Sequence, residues 1–278
     1  MDVGVFIFDT DYSINISELA QEIEGRGYES LFVPEHTHIP TSRLSPFPGG
    51  GDLPKQYSHT LDPFVSLSFA AAATKNLKIG TGICLLSQRD PIVTAKSIAS
   101  LDLMSEGRFV LGLGGGWNVE EMEDHGVTYK TRFAMMKEHV LAMKSLWVDE
   151  ESEFHGEYVD FDKNWAYPKP LQKPYPPILM GGETDYTLRR VVDYCDGWFP
   201  RGRGGFDAAE SMQRLHNMAA ESGRDISTLS VSVFGAPPNQ ETIDSYNKAG
   251  INRALFALPS EGRDNIFKLL DSFQHLIG

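Results

Sequence analysis

The chain has 278 residues, of which 41% are hydrophobic and 23% are charged, so it can bury a full core as one large α/β domain or two smaller ones. The formal net charge of −13 argues against nucleic-acid and anionic-membrane partners, because no basic excess is available to neutralise phosphates. Neither a basic leader nor an apolar span of about 18 residues follows Met1, which predicts a cytoplasmic protein that binds a small molecule.

Apolar runs alternate with stripes of helical spacing throughout the first half of the chain. Strands are predicted at 3–8, 30–36, 78–87 and 109–113, and helices are predicted to start near Ile16, at Asp62-Pro63, at Asp90-Pro91 and at Arg132. Residues 37–60 contain four prolines and three consecutive glycines without periodicity. Such a segment is typical of a lid or binding loop, and a disordered insertion is the alternative.

The same alternation resumes after residues 149–176, a stretch of acids, aromatics and prolines that we interpret as a surface excursion. Strands are then predicted at 176–183, 229–236 and 253–259, and 196–205 is predicted to be a short strand followed by a basic glycine-rich loop. Helices are predicted at 186–195, 207–221, 241–248 and 265–276. Eight strand–helix units without a reordering signal favour a (β/α)8 barrel over an open sheet. We therefore expect one domain, 1–278, with insertions after strand two and before strand five.

Polar residues and glycines gather where the predicted strands end. In a (β/α)8 barrel all these carboxyl ends meet at one mouth, which is where such barrels build their active sites. The residues concerned are Glu35-His36, Gly82-Ile83, Gly114 to Trp117, Gly181 to Glu183, and Arg201 to Gly205. We therefore predict a ligand site at the mouth of the barrel.

Metal binding is not predicted. Cys84 and Cys195 form no CxxC pair, and His36 and His38 belong to no ligand motif such as HExxH. The two cysteines are expected to be buried free thiols.

Several of these segments together carry a family resemblance. Over essentially the whole chain, the sequence resembles the luciferase-like monooxygenase superfamily, and most closely its deazaflavin branch. The motifs, in order, are GTGICLLSQRDP, GRFVLGLGGGWNVEEMEDHG, PPILMGGE and DGWFPRGRGG. The resemblance implies a barrel that binds coenzyme F-420, an 8-hydroxy-5-deazaflavin, with FMN as the alternative. It also implies a non-prolyl cis peptide at Gly82-Ile83 and a homodimer.

The resemblance assigns roles around the flat ring of such a coenzyme. His36 is the candidate catalytic residue, because related sugar-phosphate dehydrogenases hold a catalytic histidine at the matching position. Glu35 either caps the long loop or bonds the polar edge of the coenzyme, and Gly115, Gly116 and Trp117 are expected to form a wall against the ring. At least one of the following acids, Glu120 and Glu121, is expected in a solvated helix turn.

The phosphate and tail of the coenzyme are assigned to the later strand ends. Gly181 and Gly182 precede a helix that Thr184 or Asp185 caps, an arrangement that favours an anion. Arg201 and Arg203 stand among glycines, and an exposed arginine loop that binds nothing is their alternative interpretation.

The predicted function is hydride transfer between the deazaflavin and an unidentified small organic substrate. The alternatives are an FMN-dependent two-component monooxygenase and a flavin- or deazaflavin-binding barrel without turnover. A glycosidase is less favoured, because only Glu35 and Glu183 lie at strand ends where paired carboxylates are needed.

Overall fold

The computed structural model describes residues 1–277. In chain order, its strands are β1 (Asp2–Ile7), β2 (Ser30–Val33), β3 (Lys78–Thr81), β4 (Phe109–Leu113), β5 (Ser152–His155), β6 (Asp160–Asn164), β7 (Ile178–Gly181), β8 (Gly197–Phe199), β9 (Ser230–Phe234) and β10 (Arg253–Leu258). Its α-helices are α1 (Ile16–Gly25), α2 (Pro63–Ala73), α3 (Pro91–Met104), α4 (Val119–Asp124), α5 (Arg132–Val148), α6 (Asp185–Tyr194), α7 (Ala208–Glu221), α8 (Gln240–Ala249) and α9 (Arg263–Phe273).

Parallel pairing closes the sheet into a barrel, which confirms the predicted (β/α)8 fold. Around the barrel the strands follow the order β1-β10-β9-β8-β7-β4-β3-β2, with β1 pairing β2 to complete the ring. Helices between the barrel strands cover the outside, as expected for a barrel whose strands are buried and largely apolar.

Local sequence signals explain where the helices begin. The Asp62 side chain accepts hydrogen bonds from the backbone N–H groups of Phe64 and Val65, and Pro63 occupies the first position of α2. Asp90 and Pro91 start α3 in the same way. Thr184, one of the two predicted caps, accepts the N–H of Thr187 at the start of α6.

Several strands and helices end differently from their predictions or were not predicted. β2 stops at Val33 because Pro34 cannot donate to the sheet, and β3 stops at Thr81, after which the chain turns through a 3-10 helix at Leu86–Gln88. The 149–176 excursion contains a hairpin, β5 and β6, packed on α5, and α4 was not predicted as a separate helix. A 3-10 turn at Lys55–Ser58 lies within the 37–60 loop, and α9 ends at Phe273 before a last 3-10 turn.

The barrel interior is filled by side chains rather than left as a pore. Six buried apolar residues form a separate cluster inside the ring of strands, and Ile83 and Phe234 pack against it while keeping partial exposure. The six are Phe6, Phe32, Val110, Leu179, Phe199 and Leu255. Ile83 and Phe234 follow or end their strands, so they form an apolar floor to the mouth.

The amino-terminal end of the barrel is closed by paired charges. The Arg253 guanidinium donates to both carboxylate oxygens of Glu29 at 2.6 and 2.7 Å and to Ser232 Oγ at 3.0 Å. Nearby, Arg108 donates to backbone oxygens of Ala71 and Leu77 at 2.9 and 2.8 Å. These contacts join β2, β9, β10 and the helix–strand turns at that end.

Candidate functional site

The predicted site residues occupy one continuous arc of the mouth. Barrel order places β2, β3, β4, β7 and β8 side by side, and each predicted residue follows or ends one of these strands. The fold therefore gathers five segments that are far apart in sequence onto a single rim.

His36 and Glu121 form a buried pair on the β2 and β4 side of this rim. His36 Nδ1 lies 2.8 Å from Glu121 Oε2, and the two side chains are only 6% and 1% exposed. The other carboxylate oxygen of Glu121 accepts the backbone N–H of Thr37 at 3.1 Å. Since an ionised carboxylate only accepts hydrogen bonds, Nδ1 of the imidazole carries a hydrogen and donates it.

The second ring nitrogen of His36 is left available. Nε2 has no hydrogen-bond partner among residues 1–277, yet it is not a buried atom, so it opens toward the mouth. With Nδ1–H directed to a carboxylate, Nε2 of the neutral ring is an acceptor. The imidazole of His36 is thus placed as a general base, and the carboxylate of Glu121 orients it.

At least one of Glu120 and Glu121 was expected in a solvated helix turn, and the structure shows that Glu121 is instead the buried one of the two. Asn118 caps α4, its side chain accepts the N–H of Glu121 at 3.2 Å, and this turn points the carboxylate inward. Asparagine followed three residues later by glutamate is a capping signal, which the sequence carries at this position. Glu120, on the same short helix, is half-buried rather than freely solvated.

The 37–60 loop is an ordered cover attached to α4. Glu120 accepts hydrogen bonds from the Ser45 hydroxyl and from the Ser45 backbone N–H, the latter at 2.9 Å. The hydroxyl of Ser45 in turn accepts the N–H of Val119 at 2.9 Å. The hydrogen bond from Ser45 lowers the pKa of Glu120. The disordered alternative for this segment is therefore not supported.

Trp117 lies inside an aromatic cluster that the loop completes. Its ring centroid is 5.8 Å from that of His36, 6.0 Å from Phe47 and 6.4 Å from Tyr57, all in edge-on arrangements. Phe47 and Tyr57 belong to the loop and carried no sequence signal. The tryptophan remains half-buried, so a wall of aromatic edges lines this side of the mouth.

The peptide bond between Gly82 and Ile83 is cis, as the resemblance implied. Ile83 lies against two glycines of the neighbouring strand ends: a Cβ on Gly114 would be 2.3 Å from its Cδ1, and one on Gly181 would be 3.3 Å from its Cγ2. Glycine at these positions therefore admits the Ile83 side chain at the centre of the mouth.

Gly115 and Gly116 are explained in part by packing within the protein. A Cβ on Gly115 would be 2.5 Å from the ring of Phe133, and one on Gly116 would be 2.6 Å from Met122. Gly116 also has a φ of +68°, a conformation that favours glycine. The backbones of both glycines lie on the rim, and a Cβ added to Gly116 or Gly115 would point toward α4 or α5, respectively.

Glu35 is buried in an ion pair behind the rim. One carboxylate oxygen accepts the N–H of Leu85 at 2.7 Å and the other accepts Arg89 Nε at 2.6 Å. Burial alone would lower the pKa of Arg89, but the charge of Glu35 outweighs it and raises that pKa. In this structure Glu35 therefore anchors the segment that follows β3.

The β7 and β8 side of the rim is an open groove lined by three arginines and three acids. Arg201 donates from Nε and Nη2 to the two carboxylate oxygens of Glu183 at 2.8 and 2.9 Å. Arg203 has no hydrogen-bond or ion-pair partner among residues 1–277. It borders a groove with Gly204 and Gly205, where an added Cβ would meet nothing within 4 Å.

The arginines on the β7 and β8 side of the mouth influence a tyrosine on its aromatic side. Burial raises the pKa of Tyr57, and the positive charges of Arg203 and Arg201 act in the opposite direction. Both arginines are therefore close enough to the tyrosine to influence it across the mouth. Next to them, Trp198 Nε1 donates to the Gly182 carbonyl at 2.6 Å, which fixes the β7 end.

Residues 1–277 contain no cluster of three or more histidine, cysteine or acidic side chains placed to hold a metal ion. Cys84 and Cys195 are free and buried, as expected, and burial raises the pKa of both thiols. None of the helices described for residues 1–277 is both long and apolar enough to cross a membrane.

The barrel and its mouth belong to a known class. The model of the luciferase-like monooxygenase family matches residues 1–257, so the chain is a member of this family of oxidoreductases and monooxygenases. An uncharacterized protein of Mycobacterium tuberculosis is 37% identical over 269 residues, which cover 95% of this chain and 94% of that protein.

Solved structures share the fold at much lower identity. A coenzyme F-420-dependent secondary alcohol dehydrogenase, in complex with an F-420–acetone adduct, superimposes with a TM-score of 0.79 and 19% identity over 99% of this chain and 98% of its own. A monooxygenase from Streptomyces bottropensis superimposes with a TM-score of 0.77 and 17% identity over 99% and 98%. At such low sequence identity, the similarity shows only that the barrel fold is shared.

Proposed function

We propose that this chain is a coenzyme F-420-dependent oxidoreductase that transfers a hydride between the deazaflavin and a small organic substrate. The observation that carries the proposal is the buried His36–Glu121 pair with its accessible Nε2 at the barrel mouth. Hydride removal from an alcohol-type carbon must be accompanied by loss of a proton, and this pair is built to accept one. The F-420 dependence of one structural relative supports the choice of coenzyme.

The residues of the mouth fit a flat ring that carries an anionic tail. The floor is apolar, one wall is aromatic, and the opposite rim offers the positive charge of Arg203, which has no partner among residues 1–277. We propose that Gly82, Ile83, Gly115, Gly116 and Trp117 hold the ring of the coenzyme. Glu35 would support the ring site indirectly, through the segment that it anchors.

The tail belongs to the other side of the rim in this proposal. Gly181 and Gly182 precede α6, and Arg201 and Arg203 supply positive charge next to an open groove. Burial would raise the pKa of Glu183, but its pairing with Arg201 lowers it overall, so this arginine is already neutralised in part. Arg203 is therefore the stronger candidate for a direct contact with phosphate or carboxylate.

The chemistry can be assigned to the residues present. The deazaflavin, when bound, supplies a two-electron hydride acceptor or donor. His36 Nε2 accepts the substrate proton in the oxidising direction and returns it in the reducing direction. Glu121 holds the imidazole by Nδ1–H and stabilises its positive charge while the proton resides there. The loop with Phe47 and Tyr57 restricts water around the reacting atoms.

An FMN-dependent two-component monooxygenase is the second candidate, because FMN also combines a flat ring with a phosphate. The fold match to a monooxygenase keeps this candidate open. A barrel that binds coenzyme without turnover is the third. It would bind the coenzyme, yet replacing His36 would have no effect on reduction of the coenzyme by any donor.

We also propose a homodimer formed through the outer faces of α2 and α3. α2 is apolar around its whole circumference, which is typical of a helix covered on both sides. Nevertheless Phe69 on α2 is 62% exposed and Met104 on α3 is 82% exposed, and Val65 and Val93 are exposed beside them. Light scattering of the protein and of a Phe69→Glu variant, which should be monomeric, tests this assembly.

Turnover tests the proposed function. Protein mixed with oxidised F-420 and a panel of alcohols, sugars and aldehyde hydrates should bleach the violet absorbance of the deazaflavin with at least one donor. Oxygen consumption with reduced FMN, and no bleaching of F-420 by any donor, would favour the monooxygenase instead.

A further inference from the structure

The 37–60 loop places the ring of Tyr57 over two neighbouring strand ends at the mouth. The ring centroid of Tyr57 lies 4.7 Å from that of Phe8, which directly follows β1, and 5.3 Å from that of His36, which follows β2. Phe47 of the same loop lies 5.2 Å away. Since β1 and β2 pair with each other, Tyr57 lies next to the proposed general base.

The backbone around Tyr57 is attached to the rim of the barrel. Tyr57 belongs to the 3-10 turn at Lys55–Ser58, and the Thr60 hydroxyl donates to the Gln56 carbonyl of this turn at 2.8 Å. Thr60 also forms an antiparallel bridge with Thr10, in the segment after β1. The tyrosine is therefore held in place before a ligand binds, and a hydrogen-bond donor fixed in this way needs no reorganisation during a reaction.

The hydroxyl of Tyr57 remains available to a ligand. It has no hydrogen-bond partner among residues 1–277, and it is not a buried atom. Burial raises the pKa of Tyr57 overall, although the positive charges of Arg203 and Arg201, on the opposite side of the mouth, act against this rise. The phenol therefore keeps its proton at neutral pH and can donate it in a hydrogen bond.

We propose that the Tyr57 hydroxyl donates a hydrogen bond to the substrate oxygen from which His36 Nε2 takes the proton. This inference rests on the proposed function. When an alcohol is oxidised, its carbon loses a hydride to the coenzyme and its hydroxyl loses a proton to His36. The Tyr57 hydroxyl keeps its own proton and stabilises the negative charge that develops on the substrate oxygen. In the reducing direction the same hydrogen bond polarises the carbonyl group, so the substrate class is an alcohol and its ketone or aldehyde.

Turnover of a Tyr57→Phe variant tests this role in the loaded enzyme. Phenylalanine keeps the ring contacts, so the Tm and the affinity for F-420 should stay close to those of the wild type. The turnover number with a donor that the wild type uses should fall roughly 10²-fold, because one donor to the developing oxyanion is lost. Tyr186→Phe, which removes the hydroxyl of an exposed tyrosine on α6, should turn over at the wild-type rate. An unchanged turnover number in Tyr57→Phe would overturn the proposal.

A measurement without the coenzyme separates failure of this inference from failure of the proposed function. Protein labelled with carbon-13 at the tyrosine Cζ is titrated with cyclohexanone and, in parallel, with methylenecyclohexane, which has a methylene group in place of the oxygen. The Tyr57 signal, assigned by its loss in Tyr57→Phe, should move with cyclohexanone only, and the Tyr186 signal should move with neither. This result in a protein that bleaches F-420 with no donor would support the oxygen contact although the proposed function fails. A Tyr57 signal that responds equally to both compounds, or to neither, would overturn the contact.

Discussion

The two ends of the barrel use charged residues in opposite ways. At the amino-terminal end, Arg253 and Glu29 satisfy each other at 2.6 and 2.7 Å, and Arg108 donates to neighbouring backbone carbonyls. At the carboxyl-terminal end, His36 keeps one nitrogen accessible and Arg203 has no partner among the described residues. The same barrel is therefore closed at its base and open at its mouth.

This difference separates stability from function. A group whose hydrogen bonds are all made within the chain contributes to folding, whereas a half-satisfied group in a concave site is available to a ligand. Substitutions at the base should lower the free energy of unfolding with little effect on chemistry, and substitutions of the half-satisfied groups at the mouth should act mainly on chemistry.

Replacing His36 by alanine should have the largest effect. Loss of the general base should reduce the turnover number by roughly 10²–10⁴-fold, while the affinity for F-420 changes little. The Tm should fall as well, because Glu121, whose side chain is 1% exposed, loses its imidazole partner. The measurement is the rate of F-420 reduction with a donor that the wild type uses. His216→Ala, an exposed histidine on α7, is the matched control and should retain full rate. Equal rates in both variants would mean that His36 takes no part in the chemistry.

Replacing Arg253 by alanine should cost about 3 kcal/mol of unfolding free energy, because the largely buried Glu29 carboxylate keeps only Lys78, 2.8 Å away, as an ion-pair partner. Urea unfolding measures this loss. The double variant Glu29→Gln, Arg253→Met should recover part of it, since no unpaired charge remains. Any Arg253→Ala protein that is still folded should keep its turnover number, and a loss of chemistry without a loss of stability would contradict the separation of the two ends.

Acid should destabilise the base of the barrel in a defined interval. Burial would raise the pKa of Glu29, but the hydrogen bonds and charge of Arg253 lower it from 4.5 to about 2. The stabilisation by this pair is thus complete at a pH above the pKa of Glu29 in the unfolded chain. It is lost as the pH falls toward the lower pKa of Glu29 in the folded protein, by roughly 3 kcal/mol in all. Between these two pH values, the free energy of unfolding should depend less steeply on pH in Glu29→Gln than in wild type. An equal dependence in both proteins would show that Glu29 is not the cause.

Replacing Glu121 by glutamine should lower the turnover number by roughly 10–100-fold, less than loss of His36 itself, because the amide can no longer stabilise a charged imidazole. Glu121→Asp should restore part of the rate, and the pH–rate profile should shift in Glu121→Gln. An unchanged profile with a lower Tm would assign Glu121 a structural role only.

Replacing Arg203 by alanine should have the smallest effect, about a 10-fold weaker affinity for F-420 at low salt. Binding of the phosphate-free deazariboflavin should not change, because only the tail reaches this side of the rim in the proposal. Arg263→Ala, an exposed arginine on α9, serves as the control in the same fluorescence titration. Equal weakening for both ligands would place Arg203 against the ring instead.

The sequence predicted the barrel because its signals are local and repeated: apolar strands, and caps such as Asp62-Pro63 and Asp90-Pro91. It also placed His36 and Arg201 at strand ends. It did not predict the partners of these residues, since His36 meets Glu121 across 85 positions and Arg201 meets Glu183 across 18. Such pairs depend on side-chain direction in the folded barrel. Phe47 and Tyr57 lie in a loop without periodicity, so nothing local indicated that they would contact Trp117.

The most direct test of the central claim is a titration of the apo protein with F-420 and, in parallel, with FMN, followed by fluorescence quenching. The proposed function predicts saturable quenching of F-420 in the micromolar range or tighter, and displacement of F-420 only by a large excess of FMN. Tight binding of FMN with no response to F-420 would contradict the proposed function and leave the monooxygenase as the better interpretation.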